Sequence, residues 1–498
     1  MDALARSGSK LLASRVFFRI VLGFFVFEAA WVAVSSLYPM AFDEEFHLGI
    51  IKIYSHHLLP FLGSQPASAN VFGPVQHDPS YLYHYLMSFP YRLIALFVHS
   101  QMVQIIFLRL IDVGLCTLGL VLFARFMRRA GLSAALSNVA LTLFVLIPIV
   151  PLLAGQINYD NLLIPVVAGV GLLTLTVRDQ LRARTINVKT LIVLVVLCLL
   201  GSLIKYAFLP IFAAVFLYLV WELHAAFRRS RRALGRALVA GYRACSGRLK
   251  IGLAAAFIVV FGLFAQRYVV NVFSYHAAIP DCAAVLSDDA CESYGPWARD
   301  NMYAQTKGYV DPNPIGYTYN WLQGLHYRLF FMISGSTNHY TNYPPLVLPS
   351  AAFVVIGVFG SMAMLFYGRQ AFRGQRAMLF LVGLVGLYLA ALWVEDFREY
   401  LKTGAVVAVN GRYLLPVLLP AAVVVGRSMS VALKDLPRIK LAAATVAVVL
   451  FLQGGGLFSY ILRSDPSWYW PNNQPVVDAN NAARSAISPF ILKSSKNY

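Results

Sequence analysis

The chain has 498 residues, 59% of them hydrophobic and 13% charged, with a formal net charge of +19. Its apolar runs approach the ~20 residues that a bilayer-spanning helix needs, which excludes a soluble globular fold and predicts an all-α polytopic membrane protein. The positive charge is then topological, since Lys and Arg near span ends favour the cytoplasmic side. Nucleic-acid binding, the rival reading of its densest stretch from Arg228, is set aside because predicted spans flank that stretch, and no nucleic-acid partner is expected.

The first run, roughly residues 17–37, follows Arg6, Lys10 and Arg15 and is too long for a cleaved signal sequence, so it reads as a retained anchor. Directly after it stand Asp43, Glu44, Glu45 and His47, where charge is expensive unless chemistry uses it. On a helix, Asp43, Glu44 and His47 share one face while Glu45 points elsewhere, predicting an acidic site at the membrane surface. Later in the first outer loop, 38–101, the segment from Gly73 to Tyr81 adds His77 and Asp78. Residues 81–98 are apolar enough to span, yet a span there would put Arg125, Arg128, Arg129 and the cluster from Arg228 all outside. The stretch is therefore read as an interfacial or re-entrant helix bent by Pro90 and bearing Tyr81, His84 and Arg92.

Further spans fall near 102–124, 133–154, 160–177, 188–204, 206–224, 251–273, 347–367, 377–395, 411–430 and 441–462, making eleven with the first. The basic stretches 178–189, 228–250, 369–376 and 427–440 then lie inside. The densest, 228–250, contains no acid and reads as a cytoplasmic loop touching anionic lipid. The chain divides into an amino-terminal module 1–273, a large outer loop 274–346, membrane helices 347–462 and an outer tail 463–498. In the large loop, Cys282 and Cys291 stand in an oxidising compartment by this topology, leaving either a disulfide closing a small loop or two unpaired thiols.

Three more charged residues fall at the outer boundary. Asp160, in the polar turn from Gly155 to Asn161, is either an N-cap of the next helix or a functional carboxylate. Lys205, between the fifth and sixth spans, is either a snorkelling lysine or a functional cation. Arg412, in the segment Asn410 to Pro416, opens the tenth span on the outer side, against the inside preference of Arg. Two cations held there need anions, and phosphate suits both the Arg fork and the Lys point charge.

These residues resemble the polytopic GT-C glycosyltransferases, especially protein O-mannosyltransferases and the bacterial lipid A aminoarabinose transferases. Asp43-Glu44 is similar to the family's Asp-Glu pair after the first span, Lys205 to a lysine after the fifth, and Arg109-Leu110 to an Arg-Leu segment. The run Arg412 to Pro416 is similar to the family's Arg-Tyr-Leu-Leu-Pro segment, which also recurs in related uncharacterised bacterial membrane proteins. The likeness covers roughly residues 15–220 and 410–420; it departs at His77-Asp78-Pro79, where the family more often has His-Pro-Pro-Leu. It implies a GT-C-like fold in the bacterial inner membrane with the active site facing the periplasm or cell exterior. It also implies an inverting glycosyltransferase that moves a sugar from a polyprenyl-phosphate carrier to a lipid, glycan or protein acceptor.

The residues suit that chemistry independently. An acceptor hydroxyl is a weak nucleophile until a carboxylate accepts its proton, and Asp43 is best placed to do so. Lys205 and Arg412 are placed to stabilise charge on the departing phosphate. Glu44 and Asp160 are candidates to hold hydroxyls, with His47, His77, Asp78, Tyr81 and Arg109 in support. No cofactor is required; a divalent metal stays open, since Asp43, Glu44, His47, His77 and Asp78 offer O and N ligands. A transporter or flippase of a lipid-linked saccharide is the alternative, carried by Glu28 and Glu222 inside predicted spans. The gathering of charged groups at one face favours the enzyme.

Overall fold

Long apolar stretches can satisfy their backbone groups in lipid only as helices or closed barrels, and this chain takes the helical route. The computed structural model describes residues 2–41, 43–334, 341–343, 345–407, 409–464 and 466–492; Phe42 and the end of the predicted outer tail lie outside them. In chain order the principal helices are α1 (Arg15–Ser35), α2 (Glu44–Ser55), α3 (Leu82–Phe97), α4 (Gln101–Arg129), α5 (Ala134–Val145), α6 (Asp160–Ala183), α7 (Val188–Ile204) and α8 (Tyr206–Arg229). They continue as α9 (Arg231–Ala244), α10 (Gly247–Tyr275), α11 (Pro314–Phe330), α12 (Val347–Phe372), α13 (Arg376–Thr403), α14 (Gly411–Ala432) and α15 (Pro437–Arg463). Among the described residues nine of these are long and apolar enough to cross a membrane, and α5 and α7 are shorter apolar helices. Together they occupy all eleven expected spans.

Two spans are broken, for legible reasons. Pro148 and Pro151 cannot continue α5, which stops at Val145 before a short helix Ile149–Ala154 completes the expected 133–154 segment. The last span stops at Leu452 and restarts at Leu457 after a run of three glycines. There Glu28 of α1, wholly buried, accepts a hydrogen bond from the Leu457 backbone N–H at 2.7 Å. Among the described residues one short antiparallel pair, Met332–Ser334 with Thr341–Tyr343, lies outside the helices of this all-α fold.

One end of the bundle is basic. Arg129 pairs with Asp179 at 3.0 Å, joining the ends of α4 and α6. Glu222 of α8, the other acid expected inside a span, takes Arg182 at 2.7 Å and Arg376 at 3.3 Å. At the opposite end α2 and α3 pack on each other and on the bundle. The α3 helix buries Tyr83, His84, Met87 and Ser88, and leaves Leu86, Phe89, Leu93 and Leu96 exposed along its other side. That apolar stripe fits a helix lying at the membrane boundary, with Arg92 anchored on the Tyr54 carbonyl at 2.8 Å. Cys282 and Cys291 are joined as a disulfide.

The alternation of ends makes a labelling prediction. Cysteines placed at Ser64, Asn313 and Ser485 are expected to react with an impermeant thiol reagent on intact cells, once any outer membrane is breached. One placed at Ser230 is expected to stay protected, and labelling there overturns the eleven-span arrangement.

Candidate functional site

Two junctions bring the site together at the end of the bundle opposite the basic one. At the first, Asp43 sits at the N-cap of α2 in a left-handed conformation, φ 69°, and makes no side-chain bond to its own helix N-terminus. Left-handed backbone is one that Asp tolerates better than most residues. At the second, the Asn410 side chain accepts from the Arg412 backbone N–H at 3.0 Å and starts the turn that opens α14. Gly411 lets that turn approach the backbone of Arg328 and Leu329, where a Cβ would lie 2.5 Å from the Leu329 nitrogen. The result is an ion pair between segments distant in sequence: Arg412 donates through Nη2 to Asp43 Oδ2 at 2.6 Å.

A cavity of about 1170 Å³ opens beside this pair. Its wall includes Asp43, His47 and Asp78 from the first loop, Tyr159, and Arg412 with Tyr413. Tyr294, just beyond the disulfide, and polar residues of α11 such as Asn320 and Gln323 form the other side. Burial pushes the Asp78 carboxyl up, against a hydrogen bond at 2.8 Å from the Ser80 backbone N–H.

Behind the wall lies a second pair. Lys205 donates to Asp160 Oδ1 at 2.7 Å, with both side chains buried. Its ammonium stands 4.5 Å from the Tyr159 ring centroid and 4.9 Å from that of Tyr413, the contacts of a cation held by aromatic faces. Lys205 and Arg412 therefore share one aromatic partner, Tyr413.

Glu44 lies apart from the cavity wall. Its carboxylate is fully buried in a two-pronged pair with Arg109, Nε to Oε1 and Nη2 to Oε2, each 2.7 Å. It also accepts from the backbone N–H groups of Met40 at 2.8 Å and Ile157 at 3.1 Å. Arg109 further donates to the carbonyls of Ala33 and Ser36. Glu44 and Arg109 thus clamp the end of α1 to α2 and α4, and neither belongs to the cavity wall. Asp160 is likewise held by Lys205 rather than turned to the cavity. Tyr81 is buried under the Arg267 guanidinium, 4.5 Å from its ring centroid, and His77 is hydrogen-bonded to the Tyr275 hydroxyl at 3.2 Å. Among the described residues no three of His, Cys, Asp and Glu converge in a metal-holding group, so Asp43, Glu44, His47, His77 and Asp78 do not form one ligand set.

Two further partners are not among the expected site residues, although His84 is expected on the interfacial helix. His84 meets His47 Nδ1 through its Nε2 at 2.8 Å. Burial holds both imidazoles well below their ordinary range, His84 down to about 3, so both are neutral at pH 7 and one donates to the other. Asp112, one helical turn after Arg109 in α4, accepts from the Tyr83 hydroxyl at 2.6 Å and from the Asn158 backbone at 3.2 Å. A lone carboxylate inside an apolar run was the available signal for Asp112; nothing in the spacing distinguished His84 from its neighbours.

No family model and no curated protein matches the chain. Among solved structures it is similar to the Archaeoglobus fulgidus oligosaccharyltransferase tethered with an acceptor peptide containing the NVT sequon via a disulfide bond. The identity is 12% and the TM-score 0.44, over 97% of this chain and 60% of that one. The chain therefore spans about three fifths of the length of that structure.

Proposed function

We propose that this protein is an inverting GT-C-type glycosyltransferase, which takes a sugar from a polyprenyl-phosphate carrier and gives it to a hydroxyl acceptor on the non-cytoplasmic face. The supporting observation is the meeting of Asp43 and Arg412 at one cavity wall, with Lys205 directly behind. Asp43 takes the proton from the acceptor hydroxyl as that oxygen bonds to the anomeric carbon. The bond from that carbon to the phosphate oxygen breaks, and its electron pair leaves on the phosphate. Arg412, and Lys205 through its field, oppose the charge that grows there. The other wall, with Tyr294, Asn320 and Gln323, is the side for acceptor and sugar hydroxyls.

The lipid-transport alternative draws on Glu28 and Glu222. Each has a structural task, capping a restarted helix and neutralising two arginines, which supports the enzyme reading.

Binding of the spent polyprenyl phosphate tests the site. Arg412→Ala and Lys205→Ala should each weaken it, the larger loss falling on Arg412, which is in the wall. The double variant should fall short of the summed losses, because groups sharing one partner couple energetically. Unchanged affinity in both folded variants removes them from the donor site.

A further inference from the structure

Asp43 and the carrier phosphate need the same guanidinium. The left-handed backbone at Asp43 turns its carboxylate away from the N-terminus it would ordinarily cap and onto Arg412. The two partners differ in exposure: the Asp43 side chain is 56% exposed and that of Arg412 only 6%. A buried guanidinium left without an acceptor is strongly destabilising, so Arg412 must keep an acceptor for its Nη2, whereas Asp43 can return to water. An anion entering from the cavity can replace the carboxylate while the guanidinium stays paired throughout. The pair behind is different in kind. Lys205 and Asp160 are 5% and 3% exposed, enclosed by Tyr159 and Tyr413, with neither partner open to exchange.

We propose that the Asp43–Arg412 pair is an exchangeable lock, in which the carrier phosphate displaces the carboxylate and so frees the base. The ligand is a lipid-linked phosphate ester, and the order is fixed: donor first, then proton abstraction from the acceptor. Before the donor arrives, Asp43 Oδ2 is occupied by Arg412; afterwards the carboxylate faces the cavity with both oxygens available to the acceptor proton. The inference rests on the glycosyl-transfer reading above and adds to it the coupling between donor binding and the base.

The test is the affinity of full-length protein in detergent for a short-chain polyprenyl phosphate, measured for wild type, Asp43→Asn, Arg412→Gln and the double variant. With the competing carboxylate gone, Asp43→Asn should bind about tenfold more tightly. On the Arg412→Gln background the same change should give no gain, since there is no guanidinium to release. Asp43→Ser, neutral but still carrying a hydroxyl acceptor for Arg412, should repeat the gain and guards against a misfolded first variant. A gain that persists without Arg412 would reduce Asp43 to a repelling charge and overturn the lock, as would no gain at all. Failure of wild type to bind any polyprenyl phosphate rejects the transferase reading itself; binding without the gain rejects only the lock.

Discussion

Asp43→Asn is expected to fold and insert like wild type yet transfer sugar about 10²–10⁴-fold more slowly, the range over which a positioned general base contributes. Asn tolerates left-handed backbone, so the φ of 69° at the start of α2 need not change. Its amide oxygen can still accept from Arg412, and the Tyr413 ring remains 5.3 Å from the guanidinium, so the cation keeps partners. What disappears is the ability to hold the acceptor proton. Single-turnover transfer by the folded variant checks this; a rate near wild type would move the base elsewhere, Asp78 being the other carboxylate named in the first-loop wall.

The second large effect is on stability. Arg109→Ala leaves the Glu44 carboxylate charged and wholly buried without its fork, and removing one partner of such a pair typically costs about 3–5 kcal/mol. Glu44→Gln keeps the shape but strands the guanidinium in the same way. Both variants should unfold at markedly lower temperature in detergent, with early proteolysis around the α1–α2 connection that the clamp holds. Wild-type stability with lost transfer would instead put Glu44 in the chemistry and reverse the structural role assigned to it.

The contrast between Asp43 and Glu44 shows where the sequence was legible. Span number and position follow from hydropathy and basic residues, because lipid leaves the backbone so few alternatives; even the non-spanning helix 82–97 was identifiable from the arginines it would have misplaced. The presence of an acidic cluster was equally plain. Which carboxylate faces the cavity was not, since that depends on a left-handed residue at the N-cap and on an arginine 65 residues away that takes Glu44 inward. Helical spacing alone put Asp43, Glu44 and His47 on one face; the fold gave two of them to the cavity and one to the core. The Arg412 contact is still less readable, being a junction across 369 positions that only tertiary packing specifies. The partners of the boundary cations were no more readable: phosphate was the expected anion, and in the fold Lys205 is paired with Asp160 and Arg412 with Asp43.

Transfer itself tests the central claim most directly. Purified protein is offered a panel of radiolabelled polyprenyl-phosphate sugars with membrane lipid, glycan and peptide acceptors, beside Asp43→Asn as the control. A labelled product with at least one donor, inverted at the anomeric carbon and lost in Asp43→Asn, is the predicted result. No product with any donor, together with movement of a lipid-linked saccharide across proteoliposomes containing the same protein, would contradict it.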